Sequence, residues 1–340
     1  MRATLKLLAE KTNLSVGAVS LILNNKDIRV SPEKRELVLR LAREYNYRPN
    51  SLAKGLVTKR SKTVGLILPD ITNYFFAETA KYIEAELSRQ GYSVILCNTL
   101  DRAEEEQKYI DLLLSRGIDA LLICVATESL LDQTFLERLT KLDITCVAID
   151  RWTETMTMPH VAVDNREGAK LAVRHLLDHG HRRIACLTGP LTALSARDRL
   201  LGYEEALREV GITPPVEWIQ EGDYQFESGY QQGLKLLQED ITAVFVCNDM
   251  MAYGVYKAVR ESHKKIPDDL SVVGFDDLLF SQTLDVPLTS LKQSTLDIAT
   301  RACAIVLNEL NGNDHAQHVI LPPSLSIRQS VKTIRTHDES

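Results

Sequence analysis

The chain has 340 residues, of which 44% are hydrophobic and 25% charged, and its formal net charge is −6. This length allows two or three domains, and the composition is that of a soluble globular protein. No apolar run reaches the roughly 18–20 residues that span a bilayer. The first residues lack the apolar segment of a secretory signal, so a cytoplasmic location is expected. Six irregularly spaced cysteines are expected to be reduced, buried thiols.

Charge divides the chain in two. Residues 1–60 hold 13 Lys+Arg and 5 Asp+Glu, a net of +8, so the remainder carries −14. A basic module joined to an acidic body predicts one part that meets a polyanion and one that does not.

The basic module, residues 1–48, has the pattern of three short helices. Thr4, Ser15 and Ser31 are predicted N-caps, and Pro32 suits the first position of the third helix. Two short helices joined by a tight turn in a basic module indicate a helix-turn-helix. The alternative from the residues alone is a small helical bundle with a solvated basic face.

Residues 49–60 are predicted to form a hinge helix and linker. Leu52, Ala53 and Leu56 make one apolar stripe at helical spacing. The segment is too short to be stable alone, because isolated helices below roughly 12–15 residues are marginal in water. Its apolar stripe could be buried if two such segments paired with each other.

From residue 61 to 333 the sequence predicts an α/β body. Apolar runs alternate with amphipathic helices, which is typical of parallel sheets covered on both faces, here as two doubly wound lobes. The predicted strands span residues 63–68, 92–97, 120–125, 145–149, 184–188, 243–247 and 271–275.

Polar and aromatic side chains follow these strands. Ligands of such sheets bind at the carboxyl ends of the strands, so this set predicts a small-molecule cleft. For any single member, the alternative is a helix cap or a loop residue, and Asp249 in particular is expected to be an N-cap. The predicted ligand contacts are Asn73, Phe75, Phe76, Asp150, Arg151, Arg197, Tyr224, Asn248, Asp276 and Gln293.

An ordered set of motifs carries a resemblance over almost the whole length. Its members are Ser15-Val16-Gly17-Ala18-Val19-Ser20, Tyr47-Arg48-Pro49-Asn50, His179-Gly180-His181, Cys247-Asn248-Asp249 and Gly274-Phe275-Asp276-Asp277. With them the chain resembles the lactose-repressor/galactose-repressor family of bacterial transcription regulators, most of all its ribose-operon repressors. The cleft is similar to that of periplasmic ribose-binding protein. The resemblance implies a two-lobed body of the periplasmic-binding-protein type, with the chain crossing between lobes near residues 160, 290 and 322.

The resemblance also implies a homodimer that binds an approximately palindromic operator, with a tetramer left open. Apolar side chains on the recognition helix are expected against thymine methyl groups, and polar ones against bases or phosphates. The predicted DNA contacts are Thr4, Ser15, Val16, Gly17, Ser20, Leu21, Asn24, Arg29, Asn50, Ala53, Lys54 and Leu56.

The predicted effector is a small neutral sugar, D-ribose or a close pentose, that releases the operator. Arg151 and Arg197 are balanced by Asp150 and Asp276, and a balanced cleft suits a polyol. One alternative is a catabolite-control-type regulator that is gated by a phosphoprotein. An alternative of another class is a sugar-binding protein or sugar enzyme on the same scaffold.

No enzymatic activity, cofactor or metal is expected. The sequence has no Gly-x-Ser-x-Gly elbow and no phosphate-binding glycine loop. His175, His179 and His181 lie close in sequence, but no Cys or carboxylate cluster completes a metal site.

Overall fold

The computed structural model describes residues 4–47, 60–313 and 318–334. They belong to two compact units, Met1–Ser61 and Lys62–Ser340. The predicted hinge contacts Asn50, Ala53, Lys54 and Leu56 lie outside the described residues. Within those ranges, no helix is long and apolar enough to cross a membrane.

The first unit contains α1 (Leu5–Thr12), α2 (Val16–Leu23) and α3 (Pro32–Glu44). The three predicted N-caps are confirmed. Side-chain oxygens of Thr4, Ser15 and Ser31 accept from the backbone N–H three residues on, at 3.2, 3.1 and 3.4 Å. These bonds satisfy N–H groups that have no partner inside a helix.

An asparagine in the left-handed region follows each of these helices. The φ angles of Asn13, Asn25 and Asn46 are 51°, 53° and 48°. Asparagine tolerates this conformation better than most residues, so each helix stops where its sequence allows a sharp turn. The helices enclose a small core of Leu8, Ala9, Val19, Ile22, Val38 and Ala42.

The second unit has two lobes, each built on a six-stranded sheet. The first sheet is parallel throughout, in the order β11-β5-β4-β3-β1-β2. Its strands are β1 (Thr63–Leu68), β2 (Ser93–Asn98), β3 (Ala120–Ile123), β4 (Thr145–Ile149), β5 (His160–Val163) and β11 (His318–Leu321). Its helices are α4 (Tyr74–Arg89), α5 (Ala103–Ser115), α6 (Gln133–Thr140) and α11 (Thr295–Leu310).

The second sheet has the order β12-β10-β9-β8-β6-β7, and only its edge strand β12 is antiparallel. Its strands are β6 (Ile184–Thr188), β7 (Ile219–Glu221), β8 (Ala243–Val246), β9 (Ser271–Asp276), β10 (Thr289–Lys292) and β12 (Ser324–Ser326). The accompanying helices are α7 (Asn165–Asp178), α8 (Leu194–Glu209), α9 (Phe226–Leu236) and α10 (Asp249–Glu261). The predicted class, α/β with two mainly parallel sheets, is confirmed.

The chain passes between the lobes three times. It leaves the first sheet after β5, returns to the first lobe between β10 and α11, and leaves again between β11 and β12. On its return, α11 packs against α4 and β4. These crossings lie at about residues 164, 293 and 322. Three stretches of backbone therefore join the lobes.

The six cysteines have the environment that the sequence predicts. All of them are buried and none is in a disulfide.

Candidate functional site

A polar cavity lies between the two lobes, with about 360 Å³ of empty space including its mouth. Both lobes line it, at the carboxyl ends of their strands, where parallel sheets bind ligands. Its lining residues are Asn73, Phe75, Phe76, Asp150, Arg151, Ser195, Arg199, Tyr224, Asn248, Asp276 and Gln293. Nine of the ten predicted ligand contacts are among them.

The tenth, Arg197, does not line the cavity. Its side chain is exposed, and the arginine that lines the cavity is Arg199. Both lie on α8, where residues four apart share a face and residues two apart do not. Ser195, four residues before Arg199, therefore shares its face and also lines the cavity, although the sequence analysis missed it. The buried face of α8 recurs at helical spacing and consists of Ser195, Ala196, Arg199, Gly202 and Tyr203. The same spacing, applied to the sequence, would have placed Ser195 and Arg199 on one face.

The first lobe provides an aromatic wall. Asn73 caps α4, and its Oδ1 accepts from the backbone N–H of Phe75 at 3.1 Å. This cap places Phe75 and Phe76 in the first turn, with their rings 5.1 Å apart and edge to face. Both rings are buried except where they meet the cavity, and such surfaces suit the apolar face of a ligand.

Asp150 and Arg151 follow β4 in the same lobe. Nη1 of Arg151 donates to Oδ1 of Asp101 at 2.6 Å, to Oγ1 of Thr127 at 3.1 Å and to the carbonyl oxygen of Val125 at 3.3 Å. Burial raises the pKa of Asp150, and the neighbouring arginines oppose that rise. The three hydrogen bonds at Nη1 fix the guanidinium of Arg151, and its other N–H groups can donate to a ligand in the cavity.

Arg199 enters the cavity from the second lobe. Its Nε donates to Oδ1 of Asn165 at 2.8 Å, and its Nη1 donates to the carbonyl oxygen of Cys247. The guanidinium also lies over the ring of Phe275, which is fully buried in the core of the second lobe. The side chain is only 4% exposed, so this arginine has one orientation before any ligand arrives.

Asp276 and Gln293 form a hydrogen-bonded pair beside Arg199. Nε2 of Gln293 donates to Oδ1 of Asp276 at 2.7 Å. Burial raises the pKa of Asp276 well above its usual range, although Arg199 opposes this. The buried Oε1 of Gln293 accepts no hydrogen bond from any residue that the structure describes. An unpaired buried acceptor is costly, so a ligand hydroxyl that donates to it would be stabilised.

Three non-glycine residues of the cavity have unusual backbone angles. The φ angles of Asp150, Tyr224 and Asp276 are 63°, 68° and 120°. Such conformations cost free energy and are found disproportionately at binding sites. Gly189 makes room for Tyr224, because a Cβ at Gly189 would overlap the tyrosine ring.

Asn248 and Asp249 have roles that differ from the expected ones. Asn248 is the N-cap of α10, with its Oδ1 accepting from Met251 at 2.9 Å, so the prediction for Asp249 was wrong. Asp249 is fully buried, and its carboxylate accepts from the Leu278 N–H at 2.8 Å and from Ser290 at 2.6 Å. A buried carboxylate needs several hydrogen-bond donors, and the Leu278 N–H and the Ser290 hydroxyl are two of them.

In the first unit, most predicted DNA contacts lie on the surface of α2 and its flanking loops. Thr4, Ser15, Val16, Gly17, Leu21, Asn24 and Arg29 are exposed, and Ser20 is half-buried. Two apolar side chains stand out, because Val16 is 45% and Leu21 37% exposed. Exposed apolar residues on a helix in a basic module suit contacts with thymine methyl groups.

Two of the three neighbouring histidines, His179 and His181, have hydrogen-bond partners for their ring nitrogens. Nδ1 of His179 lies 2.7 Å from the carbonyl oxygen of His175. His181 has Thr242 at 2.9 Å and the Lys332 carbonyl oxygen at 3.1 Å. In the part of the chain that the structure describes, no three His, Cys, Asp or Glu side chains are grouped to hold a metal ion.

A helix-turn-helix unit followed by a two-lobed body with a polar cleft defines the class of ligand-binding transcription regulators. Comparison with known proteins agrees. Residues 4–50 match the model of bacterial regulatory proteins of the lacI family, and residues 173–331 match a periplasmic binding protein-like domain. The transcriptional repressor PurR of Pasteurella multocida is 33% identical over 97% of this chain and 99% of its own length.

Two solved structures are similar over large parts of the chain. The Lac repressor dimer bound to operator and the anti-inducer ONPF has a TM-score of 0.87 at 29% identity, covering 98% of this chain and 100% of the other. A regulator from Enterococcus faecium with bound ribose has a TM-score of 0.71 at 27% identity, covering 80% and 100%. This chain belongs to the LacI family, and it is a DNA-binding transcriptional repressor and not an enzyme.

Proposed function

We propose that the effector of this repressor is a neutral pentose, D-ribose or a close relative, and that its binding releases operator DNA. The observation that carries the proposal is the balance of charge in the cleft. Arg151 and Arg199 face Asp150 and Asp276, so arginine N–H groups are available to ring and hydroxyl oxygens, and carboxylates to hydroxyl protons. Phe75, Phe76 and Tyr224 provide surfaces for the faces of a sugar ring.

A purine base is the competing ligand. The relatives that share about a third of the sequence carry the name PurR, and a flat heterocycle would also fit between aromatic side chains. The unpaired Oε1 of Gln293 accepts from a hydroxyl and from a ring N–H alike. Two carboxylates beside two arginines favour the polyol, because a sugar has several hydroxyl groups that both donate and accept.

Calorimetry on the full-length protein with D-ribose, ribose 5-phosphate and a purine base tests this choice. We expect heat of binding with ribose and a weaker or absent signal with the other two. Tight binding of the purine alone would overturn the sugar proposal. Gel shift on the operator should then show release with ribose. Release only by a phosphoprotein would favour the catabolite-control type, and sugar turnover would favour an enzyme.

For DNA, we propose a homodimer in which each chain contributes one helix-turn-helix unit, the head (residues 1–48). The two heads bind the half-sites of an approximate palindrome. One helix-turn-helix buries little surface, and specific sites usually need two. The similar Lac repressor was solved as a dimer on its operator, which supports this arrangement. Ser15, Ser20, Asn24 and Arg29 are proposed to hydrogen-bond bases or phosphates. Sedimentation of the protein–operator complex should give two chains per operator, and one chain at full affinity would contradict the proposal.

A further inference from the structure

Asp101 lies just outside the cavity, in the turn that follows β2. It and Leu100 both adopt left-handed angles, with φ of 56° and 53°. The Asp101 N–H donates to the carbonyl oxygen of Pro69 at 2.9 Å, which fixes this turn. Two successive non-glycine residues in this region are unusual. The strained turn directs the Asp101 carboxylate at the back of Arg151.

The carboxylate is fully engaged there. Its Oδ1 accepts from Nη1 of Arg151 at 2.6 Å and from the Thr127 N–H at 3.0 Å, and its Oδ2 accepts from the Thr127 hydroxyl at 2.8 Å. The Arg151 side chain is 8% exposed and that of Asp101 37%. A short ion pair with one partner buried restricts the guanidinium strongly, so Asp101 determines where Arg151 points.

The two arginines of the cavity are held differently. Arg199 is held by neutral acceptors, the Asn165 side chain and the Cys247 carbonyl oxygen. Arg151 also has two neutral acceptors, Thr127 and Val125, but its shortest contact is with the carboxylate of Asp101. Asp101 therefore adds a third negative group to a site with two arginines, Asp150 and Asp276.

We propose that Asp101 is a positioning and specificity-determining residue of the effector site. It aims Arg151 at a neutral ligand and makes the cleft reject ligands that carry a phosphate or a carboxylate. This inference rests on the proposed binding of a neutral sugar. An anionic ligand would have to share the Arg151 guanidinium with Asp101, and two negative groups on one guanidinium repel each other. A hydroxyl group meets no such repulsion.

Asp101→Asn tests the role of the charge, because the amide oxygen still accepts a hydrogen bond. Asp111→Asn is the matched control. It removes the same charge from the same lobe, where Asp111 pairs with Arg138 at 2.7 Å and is 57% exposed. The binding of D-ribose and of ribose 5-phosphate to each full-length protein is measured by calorimetry, with melting temperatures recorded beside it.

For Asp101→Asn we expect the dissociation constant of ribose 5-phosphate to fall at least about tenfold relative to that of D-ribose, which corresponds to about 1.4 kcal/mol. Asp111→Asn should leave the ratio of the two dissociation constants unchanged. Asp101→Glu keeps the charge but displaces the carboxylate. It should weaken ribose binding and still reject the phosphate, a result that a merely structural role would not give.

The outcomes separate the two proposals. If wild-type protein binds ribose and neither Asp101 variant changes the ratio or the ribose affinity, the role of Asp101 is wrong and the sugar proposal stands. If wild-type protein binds ribose 5-phosphate better than ribose, both are wrong. If Asp101→Asn does not fold, Asp101→Glu decides: unchanged ribose affinity in that variant overturns the positioning role.

Discussion

The guanidinium carbon of Arg199 lies 3.8 Å from the centre of the Phe275 ring, in a cation–π contact. The same arginine donates to Asn165, the first residue of α7, and to the end of β8. Three elements of the second lobe thus fix one side chain of the ligand site. A site prepared in this way loses little conformational entropy when the ligand binds.

Replacement of Arg199 should weaken effector binding strongly. Arg199→Ala removes the charge and the cation–π contact, and a buried charged hydrogen bond contributes on the order of 2–5 kcal/mol to binding, so we expect at least about a thirtyfold loss of ribose affinity by calorimetry. Arg197→Ala is the control, because Arg197 is exposed on the same helix. Equal losses in both variants would mean that α8 is placed wrongly.

Gly189→Ala should weaken ligand binding through Tyr224. The added Cβ would overlap the tyrosine ring, which must then move out of its place in the cavity wall. We expect a loss of ribose affinity similar to that of Tyr224→Leu, and no further loss when the two changes are combined, because both remove the same contact. Additive losses in the double variant would contradict this account.

Glu106 should make stability depend on pH. It is fully buried in α5, and burial raises its pKa to about 7. The folded state therefore binds a proton more tightly than the unfolded state, and this contribution to stability is present at low pH and lost as pH rises from about 4.3 through 7. The melting temperature of Glu106→Gln relative to wild type should accordingly increase from pH 5 to pH 8.

The neighbouring Glu105 provides a control of opposite sign. A hydrogen bond from Lys108 lowers the pKa of Glu105, so its contribution is present at neutral pH and lost on acidification. Relative to wild type, Glu105→Gln should be no more stable at pH 8 than at pH 5. If the melting temperatures of both variants, relative to wild type, changed in the same direction between pH 5 and pH 8, the burial of Glu106 would not be the cause of that change.

Leu21→Ser should separate specific from non-specific DNA binding. Leu21 is exposed, so the head should remain folded, and its basic residues should still bind DNA of any sequence. A lost apolar base contact should weaken operator binding about tenfold in a gel shift. Ile22→Ser is the comparison: Ile22 is 1% exposed, so this change should unfold the head and weaken binding to both kinds of DNA.

The long buried strands could be predicted to the residue. Thr63–Leu68, Thr145–Ile149 and Ile184–Thr188 are continuous apolar runs that are buried on both faces, and the predicted bounds match. His160–Val163 and Thr289–Lys292 were missed, because four-residue strands with polar residues have no clear period. The polar side chains of His160, Thr289 and Ser290 are buried by neighbours that are distant in sequence.

Site residues that follow a strand could be predicted from the sequence. Site residues whose position depends on which face of a helix they occupy, or on contacts distant in sequence, could not. The rule for strand ends, together with the family resemblance, selected Asp150, Tyr224 and Asp276. This rule could not choose between Arg197 and Arg199, because the two arginines differ only in the face of α8 on which they lie. Asp101 had no sequence signal, because its partner is fifty residues away along the chain.

The three crossings between the lobes also order events on the ribosome. The first lobe begins at Thr63, but its helix α11 and its edge strand β11 come from residues beyond 294. The second lobe also waits for β12, whose residues are 324–326. A nascent chain therefore completes both lobes only after residue 326 has been added. A chain cut short before residue 295 would carry a finished helix-turn-helix unit, but its body would lack α11, β11 and β12 and so would have no complete effector site.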